Sequence, residues 1–352
     1  MIVKIIKKQD LQPYISKKED LIKDAINKLN QVKGLFQIII DSNGLLLGAL
    51  TDGDIRRGIL RGLKLDDSVE CFMNKEPKFS YKSEEKNYLK ELETVEREPF
   101  FLPIVDQNKK ILNVVIKDVT KKVNHAIIMA GGMGSRLGSL TESTPKPMLR
   151  IHGKPIIDYC IKRLEKENIE NIYISVNYLA ESILNYLENR KSVSKIIPIH
   201  EKKKLGTVGS LSLIKEDIVD PILVMNADLL TSVSIDAMIS FHINGNFSST
   251  AASAIYETTI PCGVLEINKS GFLDKITEKP RSSYMVAAGL YILNKEVYNL
   301  LQYNKKCDMP DLLNLAIKNN MQNSIFPLHE NWKDIGVPEE YIKAKNSKDK
   351  YK

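Results

Sequence analysis

The chain has 352 residues, 43% hydrophobic and 27% charged, a composition that excludes disordered and collagen-like chains and, at roughly 150 residues per domain, predicts about two domains. Fifty-one basic residues against 44 acidic give a net charge of +7. The excess is diffuse: the last twelve residues hold five lysines and one aspartate, while residues 123–340 are close to neutral, so no phosphate-neutralising stripe predicts a nucleic-acid partner.

Cys71, Cys160, Cys262 and Cys307 are far apart and form no CxxC pair, which argues against a zinc site or disulfide framework and fits a reducing cytoplasm. The five histidines have no HxH or HxxxH spacing. The opening MIVKIIKKQDLQPY lacks a signal-peptide core, and no apolar run approaches the ~20 residues of a membrane span. The expectation is a cytoplasmic protein with no membrane partner.

In chain order, the first third repeats itself. Residues 19–31 predict an amphipathic helix, followed by the apolar run LFQIII, the turn Asp41-Ser-Asn-Gly44 and the run LLLGALT. About 65 residues later a charged helix over 84–97 is followed by FFLPIV, the turn Asp106-Gln-Asn-Lys109 and ILNVVI. Each copy reads as a helix and a hairpin, so the two would bury their apolar faces against each other. The first copy ends Gly48-Ala-Leu-Thr51-Asp-Gly-Asp54. This resembles the end of a cystathionine-β-synthase (CBS) motif, in which Thr holds a phosphate and Asp a ribose. The second copy lacks the Gly and Thr in either register, at Leu112–Asp118 or at Asn113 and Ile116. The resemblance implies a tandem CBS pair (1–65 and 66–122) with at most one adenine-nucleotide site, at Thr51 and Asp54, and a homodimer through the pair. The other reading is that Thr51 and Asp54 cap the following helix.

From Ala126 the pattern changes to strand runs alternating with helical segments: AIIMA, IIDYCIKRLEKEN, IYISVN, ESILNYLENR, IIPIH, SLSLIKE and ILVMN. That alternation predicts an α/β domain over 123–345, a doubly wound, Rossmann-like, mostly parallel mixed sheet, before a basic tail at 346–352. Ligands in such sheets bind where strands run into loops. The first strand runs into Ala130-Gly-Gly-Met-Gly-Ser-Arg-Leu-Gly. Its glycines present N–H groups to anionic oxygens. It is not a Walker A loop, because no Gly-Lys-Ser/Thr follows, and it departs from the dinucleotide fingerprint, because Leu137 stands where Gly or Ala is required. Arg136 offers a planar fork to a polyphosphate. Lys146 is a point charge held between Pro145 and Pro147, which restrict the backbone around it.

The segment AIIMAGGMGSRLGSLTESTPKPMLRIHGKPIIDY resembles the N-terminal signature of the sugar-1-phosphate nucleotidyltransferases, which join a nucleoside triphosphate to a sugar 1-phosphate and release pyrophosphate. Four further segments resemble this family in order: Leu205-Gly-Thr-Val-Gly-Ser210, Leu223-Val-Met-Asn-Ala-Asp228, Ile276-Thr-Glu278-Lys279-Pro280 and Trp332-Lys-Asp334-Ile-Gly. Ser139 stands where the family commonly has Pro, and Ala227 where it often has Gly. The resemblance implies Mg²⁺ on Asp228 and Asp334, Arg136 on the leaving phosphates, Lys146 on the α-phosphate and Lys279 on the sugar phosphate. It also implies sugar contacts from Gly263 and Glu278, and nucleotide contacts from Ala130, Gly131, Gly132, Gly134, Ser135, Gly206 and Thr207. Asn177 reads equally as a base contact or a turn residue.

A CBS pair ahead of such a unit resembles the glucosamine-1-phosphate guanylyltransferases of legionaminic acid synthesis, implying GTP, glucosamine 1-phosphate and GDP-glucosamine. Two alternatives remain open. One is a uridylyl- or guanylyltransferase for another hexose 1-phosphate such as mannose 1-phosphate. The other is a nucleotide-sensing CBS protein with an inactive transferase half.

Overall fold

The computed structural model describes residues 2–32, 35–84, 100–118, 123–216, 218 and 221–347. The predicted helix over 84–97 and most of the tail lie outside the described residues. The chain divides into two compact units, one of Met1–Asn124 with Ser234–Ser248 and one of His125–Val233 with Ser249–Lys352. The helix Ile235–Asn244, in the span expected to belong wholly to the catalytic domain, clusters with the first unit. No described helix is long and apolar enough to cross a membrane.

In the first unit the strands are β1 (Ile2–Lys7), β2 (Ile15–Lys17), β3 (Phe36–Ile40), β4 (Leu46–Thr51), β5 (Ser80–Tyr81), β6 (Phe100–Val105) and β7 (Ile111–Asp118). They form two sheets, β1-β7-β6-β5 and β2-β3-β4. The hairpins β3–β4 and β6–β7 are built alike. Asp41 Oδ1 accepts from the N–H groups of Asn43 and Leu45, and Asp106 Oδ1 from those of Asn108 and Lys110. These are the bonds by which aspartate sets a turn. The two copies also meet residue against equivalent residue. Leu45 bridges Lys110, and the Phe36 and Phe101 rings stack with centroids 4.1 Å apart at 3°. The N–H of Leu46 donates to Lys109 O while that of Ile111 donates to Gly44 O. Each pair is separated by the repeat length or exchanged across it, so the two hairpins are related by a local two-fold. The helix over residues 19–31 is observed as Ile22–Leu29, burying Ile22, Ala25, Ile26 and Leu29 at helical spacing.

The second unit is a seven-stranded sheet. It comprises β8 (His125–Met129), β11 (Asn171–Val176), β12 (Lys195–His200), β13 (Ile222–Asn226), β15 (Ser249–Thr259), β18 (Arg281–Leu293) and β19 (Asn323–Pro327), in the order β12-β11-β8-β13-β18-β15-β19. Only β18 runs against the others, so the sheet is mixed and mostly parallel. Pro198 is tolerated because β12 is an edge strand. Ile127, Tyr173, Val224 and Leu293 pack with Met309 and Leu312 of the helix Met309–Lys318 in one buried cluster. The expected helix over SLSLIKE is only a 3₁₀ stretch, Gly209–Leu213. Ser212 Oγ, instead of leaving the helical run free, donates to Gly209 O and accepts from the N–H of Asn304, holding the segment as a short connector. Short pairs complete the unit: β9 (Arg150–Ile151) with β10 (Lys154–Pro155), β14 (Leu229–Thr231) with β20 (Trp332–Asp334), and β16 (Val264–Ile267) with β17 (Leu273–Thr277).

A buried ion network ties the helix Ile156–Lys166 to the end of the next helix, Ala180–Glu188. Arg190 Nε donates to Asp158 at 2.8 Å, while Nη1 and Nη2 donate to the two Glu165 oxygens at 2.8 and 2.7 Å. Arg190 holds the Glu165 carboxyl down at about 2.

Candidate active site

A cavity of about 410 Å³ lies at the ends of β8 and β13. The glycine-rich loop forms one wall. The N–H of Ala130 bonds back to Ser175 O, and Thr141 Oγ1 donates to the carbonyls of Gly134 and Gly138, pinning the loop from its far end. Gly131 has no room for a side chain: a Cβ there would lie 2.7 Å from Glu201 Oε1. Across the cavity, Gly206 sits at φ +83, and its Cβ would fall 2.5 Å from Cys307 O. Thr207 Oγ1 accepts from the N–H of Met309, and its own N–H bonds to Asp308.

Lys146 is buried in the turn between Pro145 and Pro147. Its Nζ donates to Asp228 Oδ2 and lies 3.8 Å from Asp334 Oδ1. The two aspartates are far apart in sequence and are joined by β14 and β20. Leu229 pairs with Asp334 in that ladder, and the N–H of Ile335 donates to Asp228 O. Gly336 completes the cluster: a Cβ there would lie 3.5 Å from Asp334 Oδ1 and 3.6 Å from Arg136 Nη1, so guanidinium and carboxylate flank one residue. The placement is held by packing. Leu137, Leu230 and Ile335, each next to or near a charged residue of the cluster, are buried together with Ile151 and Ile156. Each such side chain contributes about 1.5–3 kcal/mol on burial. Trp332 Nε1 donates to Ala288 O and anchors β20 to β18.

Burial and the neighbouring Asp228 charge push the Asp334 carboxyl up to about 6, against the opposing pull of Lys146 and Arg136. Oδ1 of each aspartate is buried without a hydrogen-bond partner. Two adjacent carboxylates with unmet buried oxygens suit a hard divalent cation, which takes oxygen ligands and completes its shell with water and phosphate oxygens. Asp228 and Asp334 are the residues that would hold it.

The cavity lining gathers Ala130, Gly131, Gly132, Gly134, Ser135, Arg136, Lys146, Gly206, Thr207 and Asp228 of the sequence-derived set. Others stand elsewhere. Asn177 is outside the lining, beside Gly131, with its amide donating to the backbone carbonyl of Glu201 at 2.7 Å. Gly263 and Glu278 are neighbours, a Cβ on Gly263 reaching 3.0 Å from Glu278 Oε2, and they too lie outside the lining. So does Lys279, held at φ +45 before Pro280, a backbone state that a lysine adopts only under constraint. In the first unit, Thr51 and Asp54 bond to each other as a capping box, each side chain meeting the other's N–H, and Arg57 pairs with Asp54. Glu201, which the sequence reading passed over, lines the cavity and is buried. Oε2 accepts from the N–H of Leu205 and Oε1 from Ser175. Its signal was its place directly after a strand, the position Asp228 nearly shares.

A family model described as nucleotidyl transferase matches residues 125–350. The chain belongs to the nucleotidyl transferase family. A putative mannose-1-phosphate guanyltransferase of Sulfolobus acidocaldarius is 29% identical over 222 residues, 62% of this chain and 61% of that one. A bifunctional protein GlmU of Methanococcus maripaludis is 30% identical over 230 residues, 63% of this chain and 53% of that one. Mannose-1-phosphate guanylyltransferase 1 of Arabidopsis thaliana is 29% identical over 227 residues, 62% of each. The chain thus spans between about half and three fifths of the length of these curated relatives. Among solved structures, HddC from Yersinia pseudotuberculosis aligns with a TM-score of 0.50 and 26% identity, over 63% of this chain and 98% of that one. The nucleotidyl transferase match begins where the second unit begins, leaving residues 1–124 outside it and including the Ser234–Ser248 stretch that clusters with the first unit.

Proposed function

We propose that the second unit transfers a nucleotidyl group from a nucleoside triphosphate to a sugar 1-phosphate and releases pyrophosphate. The observation that carries this reading is the Lys146–Asp228–Asp334 cluster, with its unmet carboxylate oxygens, at a cavity walled by a glycine-rich loop. The attacking group is an already ionised phosphate oxygen, so the site needs no general base. It must bring two anions together and stabilise charge on the leaving group. The loop N–H groups and Arg136 receive the β- and γ-phosphates. Lys146, fixed by its prolines and burial, meets the α-phosphate. Lys279 and Glu278 take the sugar phosphate and sugar hydroxyls, with Gly263 leaving room for the ring. Mg²⁺ held by Asp228 and Asp334 would supply charge neutralisation of the phosphate oxygens.

The base is read as guanine. A buried carboxylate beside the glycine loop accepts hydrogen bonds, and guanine presents two adjacent donors on its Watson–Crick edge where uracil presents one between two acceptors. Glu201 is that carboxylate, and each oxygen retains a free lone pair beside its present bond. With glucosamine 1-phosphate as acceptor the product is GDP-glucosamine, a precursor for legionaminic acid made in the cytoplasm. The first unit is read as a CBS pair supporting a homodimer. An adenine nucleotide at Thr51 and Asp54 would have to displace their mutual bonds, which favours the capping role there. Four nucleoside triphosphates crossed with glucosamine, mannose and glucose 1-phosphates, read by pyrophosphate release with Mg²⁺, test the assignment. GTP with glucosamine 1-phosphate is expected to be the best pair. Activity with UTP alone would overturn the guanine reading. No activity with any pair, alongside tight AMP binding, would favour a sensor.

A further inference from the structure

A second cavity of about 250 Å³ opens in the same unit behind the strand end that carries Asp228. Four cationic side chains line it, Lys154, Lys162, Arg163 and Lys166, with Met225 and Leu229 among its apolar walls and no carboxylate in the lining. Some of that charge is answered nearby: Lys162 pairs with Asp158 at 2.8 Å, and Arg163 Nη2 is 3.6 Å from Glu167 and donates to Val233 O. Lys154 and Lys166, both exposed, join no ion pair among the described residues. A cavity lined by charges of one sign draws counter-ions of the other. Arg163 is 12% exposed, and its Nε is buried without an acceptor. A buried donor of this kind ordinarily has a partner, in the protein or in a ligand.

We infer that this cavity binds a phosphate monoester, its phosphate among Lys154, Lys162, Lys166 and the Arg163 Nε, and its body against Met225 and Leu229. The site shares no lining residue with the larger cavity. Met225 and Leu229 bracket Asn226–Asp228, so an occupant presses on the segment that sets Asp228 against Lys146, and occupancy changes turnover. Nucleotides and sugar phosphates share the required chemistry. Binding at this cavity does not depend on the reaction proposed above, and a binding readout keeps the two separable.

The test is isothermal titration of the full chain with AMP, glucose 6-phosphate and inorganic phosphate. It compares the wild type, Arg136→Ala and the double variant Lys154→Glu/Lys166→Glu, whose altered residues are exposed; Lys154→Gln/Lys166→Gln and thermal melts control for folding. At least one ester is expected to bind the wild type and Arg136→Ala alike and to bind the double variant tenfold or more weakly, with affinity falling as salt rises. AMP alone would identify the nucleotide class, glucose 6-phosphate alone the sugar-phosphate class. Loss in Arg136→Ala, undiminished binding in the double variant, or no binding by any probe would overturn the site. Binding of inorganic phosphate but neither ester would overturn the role of Met225 and Leu229.

Discussion

Asparagine at position 334 keeps the shape of the aspartate and removes one charge from a buried carboxylate pair. In metal-free protein it is predicted to stabilise the chain. The Asp334 carboxyl rises from its ordinary 3.8 to about 6 on folding, through burial and the Asp228 charge. A raised carboxyl means the folded chain holds the proton more tightly than the unfolded one, so the cost to stability begins as pH climbs past 3.8 and is complete above about 6. Such a rise corresponds to about 3 kcal/mol. The side chain is 35% exposed, so solvent screening reduces the cost to on the order of 1–2 kcal/mol. Asp334→Asn should therefore melt higher than wild type in EDTA at neutral pH, by roughly 2–8 °C for a unit of this size. The difference should shrink as pH falls below about 5, where the folded carboxyl is protonated. Adding Mg²⁺ should stabilise wild type and leave the variant nearly unmoved, while pyrophosphate release in the variant falls about a hundredfold or more. A variant that melts lower in EDTA, or gains as much from Mg²⁺ as wild type, would refute the account of the cluster.

Glu201→Gln keeps an acceptor for Leu205 but loses the charge; kcat/KM for GTP should fall by about ten- to a hundredfold, the loss expected for a charge-assisted hydrogen bond, with UTP little affected. Gly206→Ala forces a side chain towards Cys307 O from a left-handed backbone and should raise the KM for nucleotide while kcat changes less. Arg190→Met leaves Asp158 and Glu165 buried without their shared cation, and denaturant titration should show a loss of about 3–5 kcal/mol. Glu165 adds an acid dependence with the opposite sign to Asp334: held at about 2 against an ordinary 4.5, it supports wild-type stability above pH 4.5 and loses that support as pH falls towards 2. The Arg190→Met variant should lack this limb.

The parts of the site that sequence exposes are those with local signatures. The glycine loop, the Pro-Lys-Pro turn and the aspartate closing ILVMN each declare themselves within a few residues, and the alternation of runs gives the mostly parallel sheet. The two matching hairpins were readable in the same way, through the Asp41 and Asp106 turns. What joins the parts is not local. Two three-residue strands, Leu229–Thr231 and Trp332–Asp334, bring the aspartates together, and no pattern of that length marks a partner a hundred residues away. Glu201 sits at the head of the run EKKK, which reads as a solvated face; its burial comes from Ser175 and Leu205, both supplied by the tertiary fold. The antiparallel β18 and the grouping of Ser234–Ser248 with the first unit likewise depend on long-range packing.

The central claim is direct transfer of a nucleotidyl group to a sugar phosphate at the Lys146–Asp228–Asp334 cluster, without a covalent enzyme intermediate. GTP labelled at the α-phosphate, incubated with Mg²⁺, glucosamine 1-phosphate and the full chain, measures this in a single turnover. The label is expected to move into a sugar nucleotide only when both substrates are present, with none found on the protein, and Asp228→Asn is expected to abolish the transfer while its melting profile stays cooperative. Label bound to the protein, or transfer undiminished in Asp228→Asn, would contradict it.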